Sequence, residues 1–207
     1  MRRFLILLAL SAVLSPDAAS AAEAKKNAPP KKPVIMLSLN TGRAESETSF
    51  KGRSRRVRTR GTETKSVSTV TSYEGRISCK PPPGETCTVT IEAFFVTRKL
   101  GGSGVSLDKI HSSRTIGTYT FSDNGSSRSQ TFSFKSPEVT RSNKTVRSGS
   151  RNRQRIRTSS SGTMYCGCFV RAVCDGKIVA VRASPGNSAW ERAGRQSKPD
   201  LSRSNRL

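Results

Sequence analysis

The chain has 207 residues and a formal net charge of +23, from 37 Lys and Arg against 14 Asp and Glu. A charge this large repels itself and seeks anions. With a single histidine, a His-based hydrolytic triad has one candidate base, His111, and no acid partner beside it in sequence.

The chain opens with Arg2 and Arg3, then an apolar run over residues 4–14 interrupted by one serine, then a polar stretch ending in Ala19-Ser20-Ala21. Positive start, short apolar run and a small-x-small end are the marks of a cleavable secretory signal over residues 1–21. The run is shorter than the roughly 20 residues that span a bilayer. Export to the periplasm, the cell surface or the medium is the expectation, with no membrane span after cleavage.

Residues 22–62 read as a polar Lys/Pro- and Arg-rich linker. Its first part, AEAKKNAPPKKP, is extended spacer composition. Residues 34–39 are apolar enough for a short strand. A first basic cluster follows in Lys51, Arg53, Arg55, Arg56, Arg58 and Arg60.

Residues 63–183 read as one folded domain with a period of two. Residues 66–79 alternate with Val67, Tyr73 and Ile77 on one side. From Cys87 the odd positions Cys87, Val89, Ile91, Ala93 and Phe95 form a buried face, and Phe94 and Val96 sit on the outer side. Residues 115–122 and 130–135 make two more strands, joined by Asp123-Asn124-Gly125-Ser126, residues that accept turn geometry. Cys79 and Cys87 bracket a short Pro- and Gly-containing loop. In an oxidising compartment a Cys79–Cys87 disulfide is the first expectation, stabilising by about 2–3 kcal/mol.

Residues 141–161 form a second basic cluster, with Arg141, Lys144, Arg147, Arg151, Arg153, Arg155 and Arg157 set among Ser and Gly. The flanking Ser-Gly-Ser and Ser-Ser-Ser-Gly read as a flexible basic loop. If the stretch is extended, Arg151, Arg153, Arg155 and Arg157 line one face at intervals of roughly 6.6–6.8 Å. Guanidinium forks at that spacing suit phosphate, sulfate or carboxylate. Neither cluster holds the aromatics that stack single-stranded bases.

The last hairpin centres on Asp175-Gly176, the dipeptide of two-residue type I′ loops. A strict two-residue loop sets Cys168 opposite Ala183, Val170 opposite Val181 and Ala172 opposite Val179. Its string YCGCFVRAVCDGKIVAVRASP resembles the C-terminal hairpin of uncharacterised bacterial secreted proteins, through Gly167, Phe169, Val170, Arg171, Asp175, Gly176, Lys177, Ala183 and Ser184. That resemblance covers about 20 residues and implies export and a β-sandwich, with no activity to carry over. The Cys166-Gly167-Cys168 segment departs from the pattern. Cys166, Cys168 and Cys174 share one strand parity, and at most one bond forms among the three. Residues 184–207 read as a polar tail.

The pattern as a whole predicts an all-β fold, an antiparallel β-sandwich of immunoglobulin-like general architecture, with basic disordered extensions at both ends. No metal or cofactor motif is found, no paired carboxylates stand out, and Gly101-Gly102-Ser103-Gly104 lacks the Lys-Ser/Thr ending of a phosphate loop. The expected function is non-enzymatic binding of an anionic polymer (polysaccharide, lipopolysaccharide or nucleic acid) or of the cell envelope, through the Arg clusters. The alternatives are a self-associating surface subunit, which leaves room for a homo-oligomer, and a small secreted enzyme.

Overall fold

The computed structural model describes residues 32–52, 61–101, 107–123, 128–150 and 153–202. Among the described residues nine strands and one short helix follow in chain order: β1 Val34–Leu39, β2 Arg43–Gly52, β3 Gly61–Lys80, β4 Thr86–Leu100, β5 Asp108–Ser122, β6 Arg128–Lys135, β7 Val139–Ser150, β8 Arg153–Cys174, β9 Lys177–Ser184 and α1 Ser188–Gly194. All pairings are antiparallel, in one nine-stranded sheet whose longest path runs β1-β3-β7-β8-β4-β5. The fold is all-β, and the sheet does not close into a barrel.

β3 organises the first layer. Ile77 pairs with both Leu37 of β1 and Gln130 of β6, so these strands lie on opposite edges of its C-terminal half. Ser66 pairs with both Ser49 of β2 and Ser142 of β7, which does the same for its N-terminal half. β8 is used in the same divided way. Its residues 153–162 pair with β7, and its residues 162–174 pair with β4. Gly162, at φ +108°, sits where β8 passes from one partner to the other, and a Cβ there would lie 2.5 Å from the Thr140 carbonyl oxygen. No other residue fits that approach without strain.

The C-terminal halves of β3 and β8 build the core. Leu37, Tyr73, Ile77, Phe132 and Phe134 of β1, β3 and β6 pack face to face with Val89, Ile91, Phe95, Phe121, Val170 and Ala172 of β4, β5 and β8. Phe95 meets Phe134 edge-on at 6.0 Å, and Tyr73 meets Tyr165 at 6.4 Å. This is a two-layer sandwich made by one sheet folding over itself.

The second layer is covered on its outer side too. Phe94, Val96, Phe169, Val181 and Ala183 form a second cluster under Trp190, Ala193 and Leu201. The run Phe94-Phe95-Val96 is therefore buried on both faces, as strands with two covered sides are. This corrects the reading of 184–207 as a polar tail: the helix begins at Asn187, whose side chain accepts hydrogen bonds from the amides of Ala189 and Trp190, and it seats the single Trp against the sheet. At Gly194 a Cβ would come within 2.7 Å of Val181, so the helix backbone lies almost on the strand.

Four further expectations are altered. Residues 43–52, assigned to a linker, form β2. Of the stretch 141–161 expected as a flexible loop, residues 141–150 and 153–161 are instead paired strand, in β7 and β8. In the last hairpin Asp175 and Gly176 have positive φ, 50° and 72°, and the predicted pairing holds for Cys174↔Lys177 and Val173↔Ile178. The register then slips, and Ala172 faces Ala180, Val170 faces Arg182 and Cys168 faces Ser184. A one-residue slip turns every later side chain to the other face. Val181 and Ala183 thus leave the inner core and join Phe169 under Trp190. A register shift likewise skips Cys166, which points to the second cluster while Cys168 points into the first, so the two do not share a face.

Trp190→Ala should destabilise the protein by about 3–5 kcal/mol in denaturant unfolding, as loss of a buried Trp does; a free tail would leave the midpoint unmoved. Cys168 is fully buried beside Tyr73 and Tyr165, and burial pushes its thiol up from 9.0 to about 12. Between those values the unfolded thiol has lost its proton and the folded one has kept it. Under reducing conditions stability should therefore fall as pH rises from 9 to 12, measured by thermal unfolding, and Cys168→Ala should flatten that slope.

Candidate anion-binding face

The N-terminal halves of β3 and β8 run past the core, and with β2 and β7 they form a four-stranded arm in the order β2-β3-β7-β8. Among residues 43–51, 61–70, 140–149 and 153–162 none is buried. The arm has no core of its own, so its order rests on ladder hydrogen bonds and on cross-strand side-chain pairs. Ser66 and Ser142 hydroxyls meet at 2.8 Å, Ser68 and Thr140 at 3.0 Å, and Ser160 donates to Asn143 Oδ1 at 2.9 Å. Hydroxyls suit this place because they satisfy one another across strands and tolerate water.

The ladder sorts the basic residues by face. Lys51, Thr64, Lys144 and Ser159 form one row across all four strands. The next row is Thr62, Val146 and Arg157, followed by Ser148 with Arg155 and Ser150 with Arg153. Lys51, Lys144, Arg153, Arg155 and Arg157 therefore stand on one face near the far end of the arm. Alternate residues lie roughly 6.6–6.8 Å apart along a strand, and strands about 4.7–4.9 Å apart. Successive arginines of β8 therefore lie within a Debye length of about 8 Å, Lys144 is a diagonal step of similar size from Arg157, and Lys51 stands two strands beyond Lys144. Lys65, Arg141 and Arg147 stand on the opposite face. Glu45 and Glu47 lie on the basic face but nearer the core, opposite Val70 and Ser68.

Arg153, Arg155 and Arg157 are exposed, and the ion pairs of Arg98 with Asp108 at 2.7 Å and of Arg171 with Glu92 at 2.6 Å do not draw on them. Of the sequence-predicted anion-binding residues, Lys51 of β2 and Arg153, Arg155 and Arg157 of β8 are placed on one face, with Lys51 three strands from the arginines. Arg53, Arg55, Arg56, Arg58, Arg60 and Arg151 lie outside the described residues. Lys144 completes the face; its spacing in sequence ties it no more closely to Arg157 than Arg141 or Arg147 are tied, and register alone separates them.

The cysteines are all free thiols. The expected Cys79–Cys87 bond is not formed: Cys79 lies on β3 in the first layer and Cys87 on β4 in the second. Cys87 Sγ is 2.9 Å from Cys174 Sγ.

A concavity of about 540 Å³ lies on the outer side of β4 and β5, lined by Glu92, Phe94, Arg114, Arg171 and Lys198 among others. Its central cation is committed. Arg171 pairs with Glu92, lies 4.9 Å over the Phe94 ring and donates to the carbonyl oxygens of Gln196 and Ser197. It clasps the C-terminal segment to the sheet, a role that needs residues from the supposed tail and so has no local signal.

His111 is exposed on β5. Among the described residues no group of three or more His, Cys, Asp or Glu is placed to hold a metal ion, and no helix is long and apolar enough to cross a membrane. No protein-family model, characterised protein or solved structure matches the chain.

Proposed function

We propose that the chain is an exported, non-enzymatic binding protein that docks an anionic polymer on the basic face of its arm. The observation that supports this best is the register that aligns Arg153, Arg155 and Arg157 with Lys144 and Lys51 on one exposed sheet face. Such a rail fits a ligand with repeated phosphate, sulfate or carboxylate groups, each taken by a guanidinium fork or an ammonium. Released counterions drive the association, and with no core beneath it the arm offers two wide surfaces for contact. The signal-like residues 1–21 support the exported setting, where phosphorylated lipopolysaccharide, acidic polysaccharide and released nucleic acid are the polymers of this chemistry.

A second reading, self-association, has one observation in its favour. β2 is an edge strand with Phe50 half exposed, and open edges pair.

The test separates a specific face from bulk charge. Binding of residues 22–207 to heparin, lipopolysaccharide and duplex DNA is measured across a salt series. One variant changes Arg153, Arg155 and Arg157 to Ser; a second, matched in charge, changes Lys65, Arg141 and Arg147 on the other face. The first should lose affinity and, on DNA, flatten the log–log salt slope by about 0.9 for each phosphate contact removed. The second should retain most of both. Equal losses would reduce the effect to net charge and overturn the assignment to this face.

A further inference from the structure

At one end of the sandwich three cysteines from three strands converge: Cys79 near the end of β3, Cys87 near the start of β4 and Cys174 at the end of β8. All are buried, at 1%, 4% and 4% exposure. Cys174 pairs in register with Val89, which places Cys87 one diagonal step away on the neighbouring strand. Diagonal neighbours are within reach when the sheet twist turns the side chains toward each other. Here the two sulfurs are 2.9 Å apart, which leaves about 0.9 Å to close to the length of a disulfide.

The other cysteines have different surroundings. Cys166 points away from the inner core, toward Asp108 and the Met164 carbonyl. Cys168 sits deeper on β8, in the inner core with Tyr73 and Tyr165. Cys79 adjoins Cys87 from the opposite layer, so a bond between them would tie the two layers through a very short loop. A bond from Cys87 to Cys174 joins two strands already paired and encloses 87 residue steps, including the whole β7–β8 hairpin. Closing a longer loop restricts the unfolded chain more.

We propose that Cys87 and Cys174 form an intramolecular disulfide in the oxidised protein, leaving Cys79, Cys166 and Cys168 as thiols. The oxidant is a small disulfide, for which oxidised glutathione is the probe. The Cys87 thiolate attacks it, forming a mixed disulfide and releasing one glutathione thiolate. The Cys174 thiolate then attacks Cys87 Sγ, forming the Cys87–Cys174 bond and releasing the second. The protein loses two electrons and two protons, and oxidised glutathione becomes two thiols. Burial raises all three thiols of this cluster, Cys174 to about 12. Thiolate is then scarce once the sandwich closes, so exchange belongs to folding rather than to the finished fold.

The test refolds residues 22–207 with reduced and oxidised glutathione, alkylates the remaining thiols in denaturant and maps peptides by mass. Trypsin with a glutamate-specific protease is required, because a cut after Glu85 separates Cys79 from Cys87. The expected result is three alkylated cysteines per chain and a cross-link between residues 86–92 and 172–177, two hydrogens lighter than the sum of its parts. The reduced form should unfold at a lower temperature than the oxidised one. Cys79→Ser should keep the cross-link, and Cys174→Ser should lose it along with the temperature shift. A Cys79–Cys87 cross-link in the parent chain, loss of the Cys87–Cys174 cross-link in Cys79→Ser, or five alkylated thiols in protein with native near-ultraviolet dichroism would overturn the proposal.

Discussion

The backbone hydrogen bonds along the two edges of β3 are what the rest of the structure depends on. One edge takes β1 and then β2, the other takes β6 and then β7. Short breaks at residues 40–42 and 136–138 separate each pair of partners, and there Asn40 and Ser136 donate their amides back to the Glu74 and Thr71 carbonyls of β3. Half of this template carries a core, and the other half carries an arm without one. β7 then passes the sheet on to β8, which returns to the core and lets the second layer fold over the first.

The two halves differ in what stabilises them. In the sandwich, apolar faces meet, at roughly 25 cal/mol for each Å² removed from water. On the arm no such term is available, and cross-strand pairs contribute roughly 0.2–1 kcal/mol each. Aligned cations oppose this order. Their arrangement limits the repulsion: Thr64 stands between Lys51 and Lys144, and the arginines occupy alternate positions of a single strand. An anion laid along the rail would offset what remains, so ligand and arm would stabilise each other. The free edge and the acidic base of the same face, at Glu45 and Glu47, give the arm a polarity along its length as well as across its faces.

What was legible in the sequence was burial with a period of two. The alternation from Cys87 to Phe95 and the Asp175-Gly176 turn marked strands and a hairpin, because one covered face leaves a trace in composition. The arm left none. Its Ser, Thr, Gly and Arg residues read as loop, since periodicity reports contact with a core and these strands have no core contact. The alternation of Arg151, Arg153, Arg155 and Arg157 signals an extended form through the arginines alone, and the alignment of Arg153, Arg155 and Arg157 with Lys144 and Lys51 needs the register of four strands. The slip past Val179 was equally hidden, because Val181 and Ala183 suit either apolar cluster. Trp190 sits in a seven-residue helix amid polar residues, and its target is formed by strands far away in sequence. The cysteine contacts are a matter of layers: proximity in the chain favoured Cys79 with Cys87, whereas the sheet brings Cys174 to Cys87.

Amide hydrogen exchange resolved along the chain distinguishes paired strand from loop in the basic stretch. β7 is flanked by β3 and β8, so its amides between residues 141 and 147 point alternately into two ladders and should all exchange more slowly than those of a free peptide, although no side chain there is buried. Those of β4 should be slower still. Exchange of residues 141–147 at the free-peptide rate, in a protein whose β4 amides remain protected, would return the arginines to a loop.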